Sequence, residues 1–288
     1  MSKKILIVGG NGFVGSNLAR ALSKEHTVHA TYYRNFTPIE NVTYHFLSQI
    51  ADKDLCRAIS SQVMPNVVIY CVGKNDLAHY ENDQTLAQYI FSAGPVGMLA
   101  ATEIIKPKFI LISSDYAFQG NEGNYSETDS PLAFSQLGKA KVRGENYAKT
   151  RSLNYSVIRC APLLGRGPMD HQSWLDGFRE NFIQKKPISV LSKTYRNPVH
   201  ISALITTVQA VIQQDIKNKF LHVGGLSKVS LFELVNLFAQ RFDFDPSLIS
   251  ASDTEQNSVY DYSLNFTDSL KLIQTEPLLL EQSFNLLE

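Results

Sequence analysis

Hydrophobic positions in the first half of the chain come in short unbroken runs, with little strict alternation. Ile5, Leu6, Ile7 and Val8 follow a polar start and end on glycines. A run of this kind is the mark of a strand covered on both faces, as in a parallel sheet. Comparable runs occupy residues 27–33, 66–72, 109–113, 155–159 and 220–223. Helix-like stretches lie between them, including residues 12–24 and 86–105, so strand and helix alternate as βαβ units require. The predicted fold class is α/β, a Rossmann-type doubly wound parallel sheet. After residue 159 the alternation loosens into glycine- and proline-containing loops and a helical segment over 174–184. Further on, Ser230 caps a helix, Glu233 completes a capping box, and Leu231, Leu234, Val235 and Phe238 line one face. These pieces predict a smaller substrate cap interleaved with the last strands. The sheet domain takes residues 1–160 and about 198–223, and the cap takes 161–197 and 224–288.

Gly9-Gly10-Asn11-Gly12-Phe13-Val14-Gly15 directly follows the first strand and opens a helix. A helix N-terminus offers unpaired N–H groups to a diphosphate, provided that no side chain blocks the approach of the backbone. Gly9 makes the tight turn, Gly12 admits the phosphates, and Gly15 lets the helix close on the sheet. The main chain of Gly9, Asn11, Gly12, Phe13, Val14 and Gly15 is therefore the predicted cradle of a nicotinamide dinucleotide. The acidic residue that commonly holds the adenosine ribose about twenty positions later is missing. Tyr33 and Arg34 stand there instead, and an arginine pairs with a 2′-phosphate, which favours NADP(H) and leaves NAD(H) possible.

Composition narrows the partners. Basic and acidic side chains balance at 27 each, so no charge excess points to nucleic acid. No apolar run approaches a membrane span, and the polar start leads straight into a strand, so a cytoplasmic location is expected. Cys56, Cys71 and Cys160 are odd in number and widely spaced, which predicts neither disulfide framework nor zinc site. With no clustered histidine ligands either, no metal is expected.

Further motifs carry a resemblance. The glycine spacing resembles that of extended short-chain dehydrogenases and reductases, and residues 65–73 look like that family's fourth strand. Ile112-Ser113-Ser114-Asp115-Tyr116-Ala117-Phe118-Gln119-Gly120, then Tyr125-Ser126-Glu127, resembles a stretch of dTDP-4-dehydrorhamnose reductases and their relatives. Gly138-Lys139-Ala140-Lys141, Glu145, residues 157–159 and, weakly, residues 197–200 continue it. The resemblance implies a sugar-nucleotide substrate touched by Asp115, Tyr116 and Phe118. It also implies cofactor contacts from Val72, Gly73, Lys141 and Cys160, and a possible homodimer through helices over 86–105 and 134–151.

In that family a hydroxyl residue, a tyrosine and a lysine act together on a carbonyl. Ser114 matches the hydroxyl member and Lys141 the lysine, but Leu137 occupies the tyrosine position. A second departure is Phe91, where relatives usually carry asparagine. Two functions therefore stay open. One is an NADP(H)-dependent reductase or epimerase of a sugar nucleotide with a substitute proton donor, for which Tyr116, water or a substrate hydroxyl are candidates. The other is a catalytically silent binding module whose cofactor stabilises a surface read by a partner.

Overall fold

The computed structural model describes residues 2–34, 37–168, 173–252 and 259–287. Its centre is a seven-stranded parallel sheet. In chain order the first six strands are β1 (Lys4–Val8), β2 (Thr27–Tyr32), β3 (Val42–Phe46), β4 (Val67–Tyr70), β5 (Lys108–Ser114) and β6 (Tyr155–Cys160), and Lys219–Val223 is the seventh. Across the sheet they run Lys219–Val223, β6, β5, β4, β1, β2, β3. Chain order reverses between β1 and β4, and such a switch point opens a ligand crevice at the strands' C-terminal ends.

The unbroken apolar runs are explained by two cores. On one face Ile5, Ile7, Val67 and Ile69 pack with Leu18 and Leu22 of α1 (Phe13–Leu22) and with Leu204 and Val208 of the helix Ile201–Gln213. On the other, Leu6, Val8, Val68 and Tyr70 meet Cys56, Ile59 and Val63 of α2 (Lys53–Val63), together with Met98 and Ala148. Every residue of β4, and every residue of β1 after Lys4, is buried, so neither strand alternates with polar positions. β3 and α2 have no counterpart in the hydrophobic pattern, because β3 is an edge strand with no fully buried residue.

The helix expected over 86–105 is divided. Short helices α3 (Leu77–Asn82) and α4 (Gln84–Gln88) lead into a π-helical turn, Tyr89–Ala93, and then α5 (Gly94–Ala101), which starts with Pro95 in its first turn. The Tyr70 hydroxyl donates to the Ile90 carbonyl at 2.6 Å inside that turn. α6 (Gln136–Arg151) follows β5; Ser135 caps it, and the Glu81 carboxylate accepts the Gln136 N–H at 2.6 Å.

The remaining segments form small sheets and helices. Thr194–Arg196 pairs with Val229–Ser230 and Tyr260–Asp261, and Ile188–Leu191 pairs with Ile249–Ser252. Phe182, Leu234, Val235, Phe238 and Phe284 gather into a separate core beneath them. The Ser230–Glu233 capping box forms as expected at the start of Leu231–Arg241.

Candidate functional site

Gly9 adopts a left-handed φ of 90°, donates to the Thr31 hydroxyl at 3.1 Å, and lies so close to Val72 that a Cβ would sit 3.1 Å from its backbone. Gly15 has even less room, since a Cβ there would be 2.1 Å from the Gly9 carbonyl oxygen. Gly12 differs. A Cβ on it would meet only the Gly9 carbonyl oxygen, at 3.5 Å, so its outward side is open. Gly12 is the N-cap of α1 and supplies no side-chain cap, leaving the first-turn N–H groups available to an anion. The residues present thus fit a diphosphate, with Asn11, Phe13 and Val14 around the same mouth.

Val72 and Gly73 follow β4 beside this loop, and Gly73 is also left-handed, with φ 97°. A Cβ on Gly73 would fall 2.5 Å from the Phe91 ring, which therefore fills the space over it. The Lys141 ammonium also lies over the Phe91 ring, 4.3 Å from its centroid. Lys141 is 6% exposed and makes no ion pair among the described residues. Burial lowers its pKa to about 8, with Glu145 the largest opposing influence. Glu145 itself is held by the Ser113 hydroxyl at 2.6 Å and by Arg159, whose Nη2 donates at 2.8 Å. Leu137 is fully buried among Tyr80, Ala87, Phe91, Tyr116 and Ala140. The tyrosine slot is thus packed shut with hydrocarbon.

Ser114 ends β5, fully buried, and its hydroxyl is without a hydrogen-bond partner. A buried polar atom left unpaired costs about 1–3 kcal/mol, so this orphan hydroxyl is a polar group whose partner the described residues do not supply. Asp115 and Tyr116 form the next turn and are claimed by Arg196, a residue the sequence reading did not single out. Arg196 grips both carboxylate oxygens of Asp115, Nε at 2.6 Å to one and Nη2 to the other, and its Nη1 donates to the Tyr116 hydroxyl at 2.9 Å. Its guanidinium also lies 4.3 Å from the Tyr116 ring centroid. Burial opposes the charge on Arg196, and Asp115 outweighs it, holding its pKa above the usual arginine value.

Other expected site residues stand further out or deeper in. Arg34 is exposed, with its guanidinium 5.3 Å from the Tyr33 ring centroid, at the end of β2. Cys160 is buried at the end of β6 opposite Ser114, and burial pushes its thiol pKa up. Phe118 lies in the core, stacked flat on Tyr125 at 4.3 Å. Tyr262, also absent from the sequence reading, sets its ring against Tyr116 at 5.4 Å. Among the described residues there is no group of three side chains able to hold a metal, and no helix long and apolar enough to cross a membrane.

The seven-stranded doubly wound sheet is that of the extended short-chain dehydrogenases and reductases, the class to which the chain belongs. Within that class the chain belongs to the RmlD substrate binding domain family, matched over residues 3–260. A hypothetical dTDP-4-dehydrorhamnose reductase from Sulfolobus tokodaii superposes with a TM-score of 0.83, at 23% identity and 98% coverage of both chains. A dTDP-4-dehydrorhamnose reductase from Bacillus anthracis, solved with NADP, gives 0.81 at 18% identity, covering 99% of this chain and 98% of that one. By sequence, the chain is 24% identical over 260 residues to methionine adenosyltransferase 2 subunit beta of Mus musculus, covering 85% of this chain and 74% of the relative.

Proposed function

We propose that the protein is an NADP(H)-binding reductase or epimerase of a nucleotide-linked 4-keto sugar, working with a proton donor other than the family tyrosine. The observation that carries this reading is the Ser114 hydroxyl, buried and unpaired at the C-terminal edge of the sheet. The glycine turn and the uncapped start of α1 hold the diphosphate, and Arg34 meets a 2′-phosphate. Lys141 keeps a cation beside the nicotinamide ribose, and Ser114 orients the keto oxygen by donating to it. When bound, the dinucleotide supplies or accepts hydride. Phe91 and Leu137 contribute an apolar wall that keeps water from the reacting carbonyl. A solved relative of this fold carries NADP, and a Bordetella bronchiseptica enzyme carries NAD+. The preference for NADP(H) rests on Arg34.

One observation favours a second reading, a silent dinucleotide-binding subunit. Leu137 closes the proton donor's position, and the similarity to methionine adenosyltransferase 2 subunit beta points the same way. The two are separated by NADPH consumption with a panel of dTDP- and UDP-linked 4-keto sugars, alongside calorimetric binding of NADPH and NADH. Turnover sustains the first. Tight NADPH binding with no turnover across the panel leaves the second, and no heat with either dinucleotide removes both.

A further inference from the structure

We propose that the proton donor is the Tyr116 hydroxyl and that Arg196 is the cation positioning it, a phenol–guanidinium couple in place of the tyrosine–lysine pair. This rests on the reading above that the site takes a carbonyl ligand. The hydrogen-bond bookkeeping carries it. A guanidinium has donors and no acceptor, so in the 2.9 Å contact Arg196 donates and the Tyr116 oxygen accepts. The phenol's own proton is then directed elsewhere, and no acceptor for it is found among the described residues. Tyr116 is fixed, with the guanidinium over its ring on one side and the edge of Tyr262 on another. It stands two residues from Ser114, whose hydroxyl is likewise unclaimed. Burial, partly offset by Arg196, raises the pKa of the Tyr116 phenol, so it keeps its proton at neutral pH, as a donor must.

The step balances as a two-electron reduction. Hydride from NADPH forms the new C–H bond at the carbonyl carbon, the C=O π pair moves to oxygen, and the Tyr116 proton completes the alcohol. NADP+ leaves, and the phenolate retains a charge-assisted bond from Arg196 until water reprotonates it. Asp115 acts through Arg196 by fixing the plane of the guanidinium.

The test uses the full chain with its tyrosines labelled at 13Cζ, the Tyr116 resonance being the one lost in Tyr116→Phe. With NADP+ bound, so that no reduction occurs, a dTDP-linked 4-keto-6-deoxyhexose is added as probe. The Tyr116 resonance is expected to shift on its addition; an unmoved resonance overturns the proposal. In turnover with NADPH, Tyr116→Phe is expected to lose about a hundredfold or more in kcat at unchanged NADPH affinity. Arg196→Lys should keep kcat within about tenfold, and Arg196→Gln should lose about a hundredfold. The double variant Asp115→Asn/Arg196→Gln removes both charges, so it remains informative if an unpaired Asp115 prevents folding. A folded Tyr116→Phe, or a folded Arg196→Gln or Asp115→Asn/Arg196→Gln, with kcat within threefold of the parent overturns the couple and leaves the reductase reading standing. A moving Tyr116 resonance in a parent protein that consumes no NADPH overturns the reductase reading, and with it the proton-donor role, and leaves Tyr116 as a hydrogen-bonding contact to the ligand.

Discussion

Leu137 and Lys141 sit one helical turn apart, and each makes a distinct prediction. Replacing Leu137 by tyrosine puts a phenol four residues before the lysine, where the two meet on one face of α6. Leu137→Tyr is expected to raise NADPH-dependent reduction of a 4-keto sugar at least tenfold. Overpacking a sealed cluster costs about 1–3 kcal/mol, so the melting temperature should fall. Lys141 tests the electrostatics. Its native pKa of about 8 lies below the usual 10.5, so above pH 8 the native state has shed a proton that the unfolded state keeps up to pH 10.5. Stability therefore rises with pH across that window. Urea unfolding of the parent and of Lys141→Met at pH 7 and pH 10 should show the variant's advantage at pH 7 shrinking at pH 10. The glycines, Ser114 and Lys141 were legible in sequence because their spacing is local. Arg196 was not, because it lies 80 residues from Tyr116 and its pairing with Asp115 exists only after the chain folds back. The signal available was the acidic Asp115 at a strand end bound for burial, which requires a cation.

At the level of elements, the glycine turn separates packing from recognition. Gly15→Ala drives a methyl into the Gly9 backbone and should lower both melting temperature and NADPH affinity. Gly12→Ala places its methyl in open space with φ −73°, which alanine adopts freely. It should melt within a few degrees of the parent yet bind NADPH at least tenfold more weakly, as calorimetry would show. All six predicted strands lie within two residues of their expected bounds, because unbroken apolar runs between glycines have few other solutions. The predicted 66–72 strand is shorter, Val67–Tyr70, its last two residues entering the turn toward Gly73. β3 escaped notice because its half-exposed residues give no run, and the π-helical turn because Ile90 and Phe91 fit a regular helix equally well. That turn places Phe91 over Lys141, so the site's second apolar departure is a matter of helix phase as much as residue type.

Across the whole molecule, the acid limit of the fold is tied to His222. Its Nδ1 faces two carbonyl oxygens, Tyr125 at 3.1 Å and Asn265 at 2.9 Å, while Nε2 is buried without a partner. Burial, reinforced by Arg159, lowers its pKa to about 4. Between pH 6.5 and 4 the unfolded chain takes up a proton that the native state refuses, so stability falls with pH by up to about 3 kcal/mol. The fall in urea midpoint from pH 7 to pH 4.5 should be smaller in His222→Asn. His222 belongs to the strand Lys219–Val223, which the chain reaches only after residues 161–197 have left the sheet and returned. On the ribosome this order has a cost. A nascent chain paused before residue 219 carries β6 with one whole side of unpaired amides and carbonyls, flanked by side chains destined to be entirely buried. Until synthesis passes that point, the half-made protein offers a sticky rim to any other extended polypeptide, and speed of elongation there protects it from aggregation.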